Sequence, residues 1–180
     1  IVENTRPYEQ VPTQFSCHIL HPDGTLDHQS LIITELDGDI RLQLLTELIN
    51  VLGGYGSIIV WNSKFETDIL KELGKRYPEH SMEIDNIIDR VYDLAPVFKN
   101  HYFHPEFFGS NSLKPVTEAL LDDMSYKDLD ISEGTAATVL WKKMITKNDQ
   151  IFKLDTSFDL HQYCKQDTLV MVKLYQHLKS

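Results

Sequence analysis

The chain has 180 residues, 42% hydrophobic and 24% charged, enough for one globular domain that buries a core without disulfide or metal staples. A formal net charge of −10 excludes a large nucleic-acid-wrapping surface, because Lys and Arg on phosphates supply most non-specific affinity. It leaves room for an enzyme that grips a few nucleotides through divalent ions, since such a site is itself a cluster of acids.

Cys17 and Cys164 lie far apart in sequence without a C-x-x-C pattern, which points away from a disulfide framework or a zinc ribbon. No apolar run approaches the roughly 20 residues of a membrane span, and no signal peptide is visible, so a cytoplasmic setting without a membrane partner is expected. The first residue is Ile1 rather than Met, and we expect the chain to have lost an upstream segment.

Residues 1–13 read as an extended, polar lead-in. Gln14 to Leu20 and Leu26 to Thr34 alternate as strands, and His21-Pro22-Asp23-Gly24 between them predicts a hairpin turn. Asp37-Gly38-Asp39 caps a helix over Ile40 to Leu52, closed by Gly53-Gly54. Ser57 to Trp61 is a continuous apolar run, the pattern of a parallel, central strand, and it leads through Asn62 into a helix ending near Leu73.

Arg90 to Leu94 predicts a further short strand stopped by Pro96, and Lys99 to Gly109 an aromatic loop. Helices are expected over Ser110 to Leu121 and over Ser132 to Ile145, the second capped by Ser132, followed by a polar connector over 146–156. The order of hairpin, helix, buried strand and helix is an α/β pattern with a mixed sheet in one domain spanning 1–180.

The last helix, Phe158 to Leu178, repeats apolar residues at Leu160, Cys164, Met171, Leu174 and Leu178. Asp167 falls on that stripe, where an ionised carboxylate needs a cation, donors or water beside it. Tyr163, four residues earlier, lies on the same side. Such a pair fits a metal site with a phenol beside it; it fits equally an Asp that caps a loop or pairs with a cation.

In this order, Asn62-x-x-Phe65-Glu66 and Tyr163-x-x-x-Asp167 resemble the second and third motifs of the tyrosine-bearing subgroup of the DEDD exonucleases, which have the ribonuclease H-like fold. The second motif there ends in Asp, where this chain has Glu66. The pattern is more similar still to a bacterial domain of unknown function classed with these nucleases. That similarity runs through Arg6-Pro-Tyr-Glu-Gln-Val-Pro-Thr-Gln-Phe15, Trp61-Asn-Ser-Lys-Phe-Glu66, Ser112-Leu-Lys114 and Tyr163-Cys-Lys-Gln-Asp-Thr168.

The resemblance implies a ribonuclease H-like mixed sheet flanked by helices. The first, central strand with its Asp-x-Glu motif is missing from this chain, and 10 to 20 further N-terminal residues, about one strand and a link, are expected to carry it.

The activity implied is two-metal hydrolysis of phosphodiesters by Mg²⁺ or Mn²⁺ at the 3′ end of single-stranded DNA or RNA. Asp167 and Glu66 would be metal ligands. Tyr163 would orient the attacking water, since a phenol with a pKa near 10 is a poor base at neutral pH. Asn62 would bond the helix start or the substrate backbone, and Lys114 would touch a phosphate. Without the first motif the fragment itself is expected to be inactive.

Each residue has a structural alternative: Ser63-x-x-Glu66 as a capping box, Tyr163 as helix packing, Lys114 as a surface lysine. His101-x-x-His104 reads as loop packing rather than a zinc site. The aromatic loop either stacks bases or plugs the core with Phe107 and Phe108. Alternative functions are a non-catalytic nucleic-acid or partner-binding module of the same fold, and a hydrolase of nucleotides or very short oligonucleotides.

Overall fold

Alternating side chains make Gln14–Leu20 (β1) and Leu26–Ile32 (β2) an antiparallel hairpin, in register from Gln14↔Ile32 to Leu20↔Leu26. Gly24 turns the chain at φ +87°, which a side chain would resist, and Asp23 Oδ1 accepts from Thr25 N at 2.9 Å. The computed structural model describes residues 10–124, 126, 131 and 134–179. Most of the expected lead-in and the expected Ser132 cap lie outside those residues.

The described residues of 1–51 with 129–166 make one compact unit, and those of 52–128 with 167–180 another. In the first unit the hairpin is followed by Ile40–Leu52 (α1), whose start is held where Asp39 Oδ1 accepts from Arg41 N at 3.2 Å. Gly134–Thr146 (α6) and Gln150–His177 (α7) follow later in the chain. The core gathers Ile33, Ile40, Leu44, Trp141, Met144 and Leu160, with Trp141 Nε1 donating to Ile33 O at 2.7 Å. A buried indole N–H needs such an acceptor.

The expected connector over 146–156 is instead largely helix. Asp149 Oδ1 accepts from Phe152 N at 3.1 Å, so α7 is capped at Asp149 and begins at Gln150, not Phe158. Its fully buried residues are Leu160, Val170 and Leu174, with Thr156 nearly so, while every residue from 161 to 169 is half-buried. Asp167 thus lies on the buried line, as the spacing predicts, but in a half-buried stretch rather than a dry one.

One face of the hairpin is polar. Ser16 pairs with Ser30 and His18 with His28 across the strands. The His18 and His28 rings are 4.6 Å apart between centroids, and His28 meets His161 of α7 edge-on at 5.3 Å. Ser16 Oγ bonds His28 Nε2 at 2.9 Å, and Ser30 Oγ bonds His161 Nδ1 at 3.0 Å.

The second unit carries Ile58–Val60 (β3) and Val91–Asp93 (β4), paired in parallel from Ile58↔Val91 to Val60↔Asp93. Ser63–Arg76 (α2) and Ser81–Asp89 (α3) form the crossover between them, packed closely enough that a Cβ on Gly74 would stand 3.5 Å from Ile84 Cδ1. Arg90 spreads its guanidinium over the carbonyls of Leu52, Gly53, Tyr55 and Gly56. That fork satisfies the chain between α1 and β3.

β3 is shorter than expected and half-buried, and among the described residues its only ladder is to β4, so its expected central place is not seen there. Pro96 does not stop the chain after β4. It sits in the first turn of Ala95–Asn100 (α4), where a missing N–H costs nothing. Leu113–Leu120 (α5) occupies the middle of the helix expected over 110–121.

Packing of the histidines sets a pH dependence. Desolvation, then the nearby His28 and Lys165 charges, pushes His18 down from 6.5 to about 4; desolvation, then His161 and Lys165, lowers His28. The unfolded chain therefore takes up protons first as pH falls below 6.5, so stability is full above that value and is lost toward pH 4. We predict that the fall in melting temperature between about pH 7.5 and about pH 5 is smaller for His18→Gln than for the wild type. Equal falls would show that His18 does not carry this dependence.

Candidate functional site

The carboxyl ends of β3 and β4, with the helices that leave them, share one connected set of hydrogen bonds. Parallel strands end there side by side, at the sheet edge where α/β proteins commonly bind ligands. Trp61 stacks on Phe98 of α4 at 5.5 Å, and the chain then turns into α2 through Asn62, whose backbone is left-handed at φ 71°, ψ 67°. Asn tolerates that conformation better than most residues.

The start of α2 is capped from another strand. Asp93, the last residue of β4, accepts from Asn62 N at 3.0 Å and Ala95 N at 3.1 Å through Oδ1, and from Ser63 N at 2.8 Å through Oδ2. This corrects two expectations. The Asn62 side chain makes no cap hydrogen bond, so it does not bond the helix start. Ser63 is the first helical residue rather than the cap, so Ser63 and Glu66 do not form a capping box.

Glu66 lies in the first turn of α2, half-buried, and its Oε2 is buried with no hydrogen-bond partner. Desolvation raises its pKa from 4.5 to about 6; a bond to its own backbone N–H opposes this, and the Asp93 charge adds to it. Asp93 goes the other way. Burial alone would raise it, but the N–H groups of Ser63, Asn62 and Ala95 outweigh burial and hold its carboxyl below the usual range. The two acids are thus shifted in opposite directions, Glu66 up and Asp93 down.

The other expected residues divide between the two units. Asp167 belongs to the same unit as Glu66, Asn62 and Lys114, whereas Tyr163 belongs to the first unit, where its ring packs against the hydrophobic core around Leu160. Lys114 Nζ stands 5.2 Å from the centroid of the Tyr126 ring, a cation–π placement. His104 Nδ1 accepts from Glu106 N at 3.3 Å and its ring packs on Phe107. The aromatic loop divides: Phe107 is buried beside Tyr102, while Phe103 and Phe108 are about nine-tenths exposed, at 89% and 90%.

At this strand end one carboxylate oxygen, Glu66 Oε2, is buried without a donor. Glu66 fits a ligand role, because its orphaned, desolvated oxygen lacks the donor or cation that a buried carboxylate requires. Among the described residues no three His, Cys, Asp or Glu side chains stand together as a metal-binding group. Asp93 was missed in the sequence because its partners, Asn62 and Ser63, are about 30 residues away. The only local hint is an acid two residues before the first turn of a Pro-led helix.

The sign of the Glu66 shift gives a test. A carboxyl raised to about 6 stabilises the fold below 4.5, where it is neutral in both states, and loses that contribution as pH rises through about 6. Glu66→Gln is expected to raise the melting temperature at about pH 8 and leave it unchanged at about pH 4. The same change at both values would contradict the burial of this carboxylate.

Among the described residues no helix is long and apolar enough to cross a membrane. No curated protein and no solved structure matches the chain. Residues 1–112, which include β3, Asn62, Glu66 and Asp93, match the family model described as Domain of unknown function (DUF2779). The chain belongs to that family.

Proposed function

We propose that this domain is a metal-dependent 3′–5′ exonuclease of ribonuclease H-like fold, acting on the 3′ end of single-stranded DNA or RNA. The observation that carries the reading is Glu66: a buried carboxylate oxygen without a partner, at the carboxyl end of a parallel strand, in the position of the second exonuclease motif. The mixed α/β order supports it.

Glu66 and Asp167 would hold Mg²⁺ or Mn²⁺, whose chemistry when bound is to polarise the phosphate and supply a nucleophilic water. The protein's own groups do the rest. Exposed Asn62, free of any capping duty, is available to bond the substrate backbone. The motif resemblance gives Tyr163 the role of orienting water through its phenol rather than deprotonating it. Lys114, held over Tyr126, would lend positive charge near phosphate.

The acidic balance, 27 Asp and Glu against 17 Lys and Arg, favours short strands within this reading, because long-range attraction for a polyanion is missing. We predict Mn²⁺-dependent shortening of 3′-labelled oligonucleotides by the full-length protein, with Asp167→Ala slower by about a hundredfold or more. Rates on a dinucleotide at least equal to those on a 20-mer identify a short-oligomer hydrolase. Equal rates for wild type and Asp167→Ala would refute the assignment.

A further inference from the structure

We propose that Asp93 is the positioning residue of this site: its carboxylate sets the turn that presents Asn62 and Glu66, while itself touching neither substrate nor ion. The proposal rests on the reading of Glu66 as a metal-facing acid. The first turn of any helix leaves backbone N–H groups without internal partners, and α2 provides no capping side chain of its own. Asp93 fills that role from β4, with three N–H donors at 2.8–3.1 Å.

The geometry explains why the group must be a carboxylate of this length. Oδ1 serves the starts of both α2 and α4, and Oδ2 serves Ser63, so both oxygens act as acceptors at once. An Asn here has one acceptor and would turn an NH₂ toward the Ser63 N–H. A Glu would move the acceptors away by a methylene. The two long-range bonds also tie the end of β4 to Ser63 and to Asn62, whose left-handed backbone reverses the chain after β3. Holding that strained turn frees the Asn62 side chain, which would otherwise be the natural cap.

The test compares full-length wild type, Asp93→Asn and Asp93→Ala by amide hydrogen exchange at Asn62 and Ser63, and by Mn²⁺-induced NMR broadening around Glu66. Asp93→Asn retains the two Oδ1 bonds and so keeps the fold even where Asp93→Ala does not. In Asp93→Asn the Ser63 amide is expected to exchange about tenfold faster, and the Mn²⁺ concentration for half broadening to rise about tenfold, at a nearly unchanged melting temperature. Wild-type Ser63 exchange in that variant, or faster exchange with an unmoved Mn²⁺ titration, overturns the proposal. A wild-type protein that shows no Mn²⁺ broadening at Glu66 overturns the metal reading instead, and the positioning role for that site with it.

Discussion

One carboxylate ties the second unit together at its strand ends: Asp93 binds the backbone N–H groups of two helix starts and the Ser63 side chain. Asp93 ends a three-residue strand, and such a strand contributes little pairing energy of its own. Through its two oxygens it joins the end of β4 to the first residues of α2 and α4, so the strand ends and both helix starts share one set of hydrogen bonds. Bonds to an ionised acceptor contribute about 1.5–3 kcal/mol each, more than the neutral bonds of the ladder beside them.

That satisfied acid lies near an unsatisfied one. Glu66 is desolvated by the same strand end and feels the Asp93 charge, yet one of its oxygens is left without a donor. Stability alone gives no reason to keep it, since a glutamine or an apolar residue would avoid the cost of a buried carboxylate. A destabilising carboxylate beside an exposed, left-handed Asn62 is the feature on which the proposed cation-binding role rests.

Local patterns in the sequence were legible where local chemistry decides the structure. The hairpin of Gln14–Leu20 and the helix of Ile40–Leu52 appear as expected, because alternation, Gly24, Asp39 and Gly53 all act within a few residues. The helix over Ser81–Asp89 was not foreseen: its buried Ile84 and Ile87 give too short an apolar face to stand out. Pro96 reads as a stop in the sequence, because its place in a helix's first turn depends on where β4 ends. Motif order singled out Asn62 and Glu66. It could not show that Asn62 gives its capping role to Asp93, or that Ser16, His18, His28 and Ser30 form one polar face against His161, because those contacts follow from strand register and tertiary packing.

Anomalous diffraction from crystals of the full-length protein grown with Mn²⁺ distinguishes whether Glu66 and Asp167 hold a divalent ion, as proposed. An anomalous peak is expected within about 2.5 Å of carboxylate oxygens of both residues, lost in Glu66→Gln. A peak that contacts neither acid, or full Mn²⁺ occupancy that survives Glu66→Gln unchanged, would contradict the proposal.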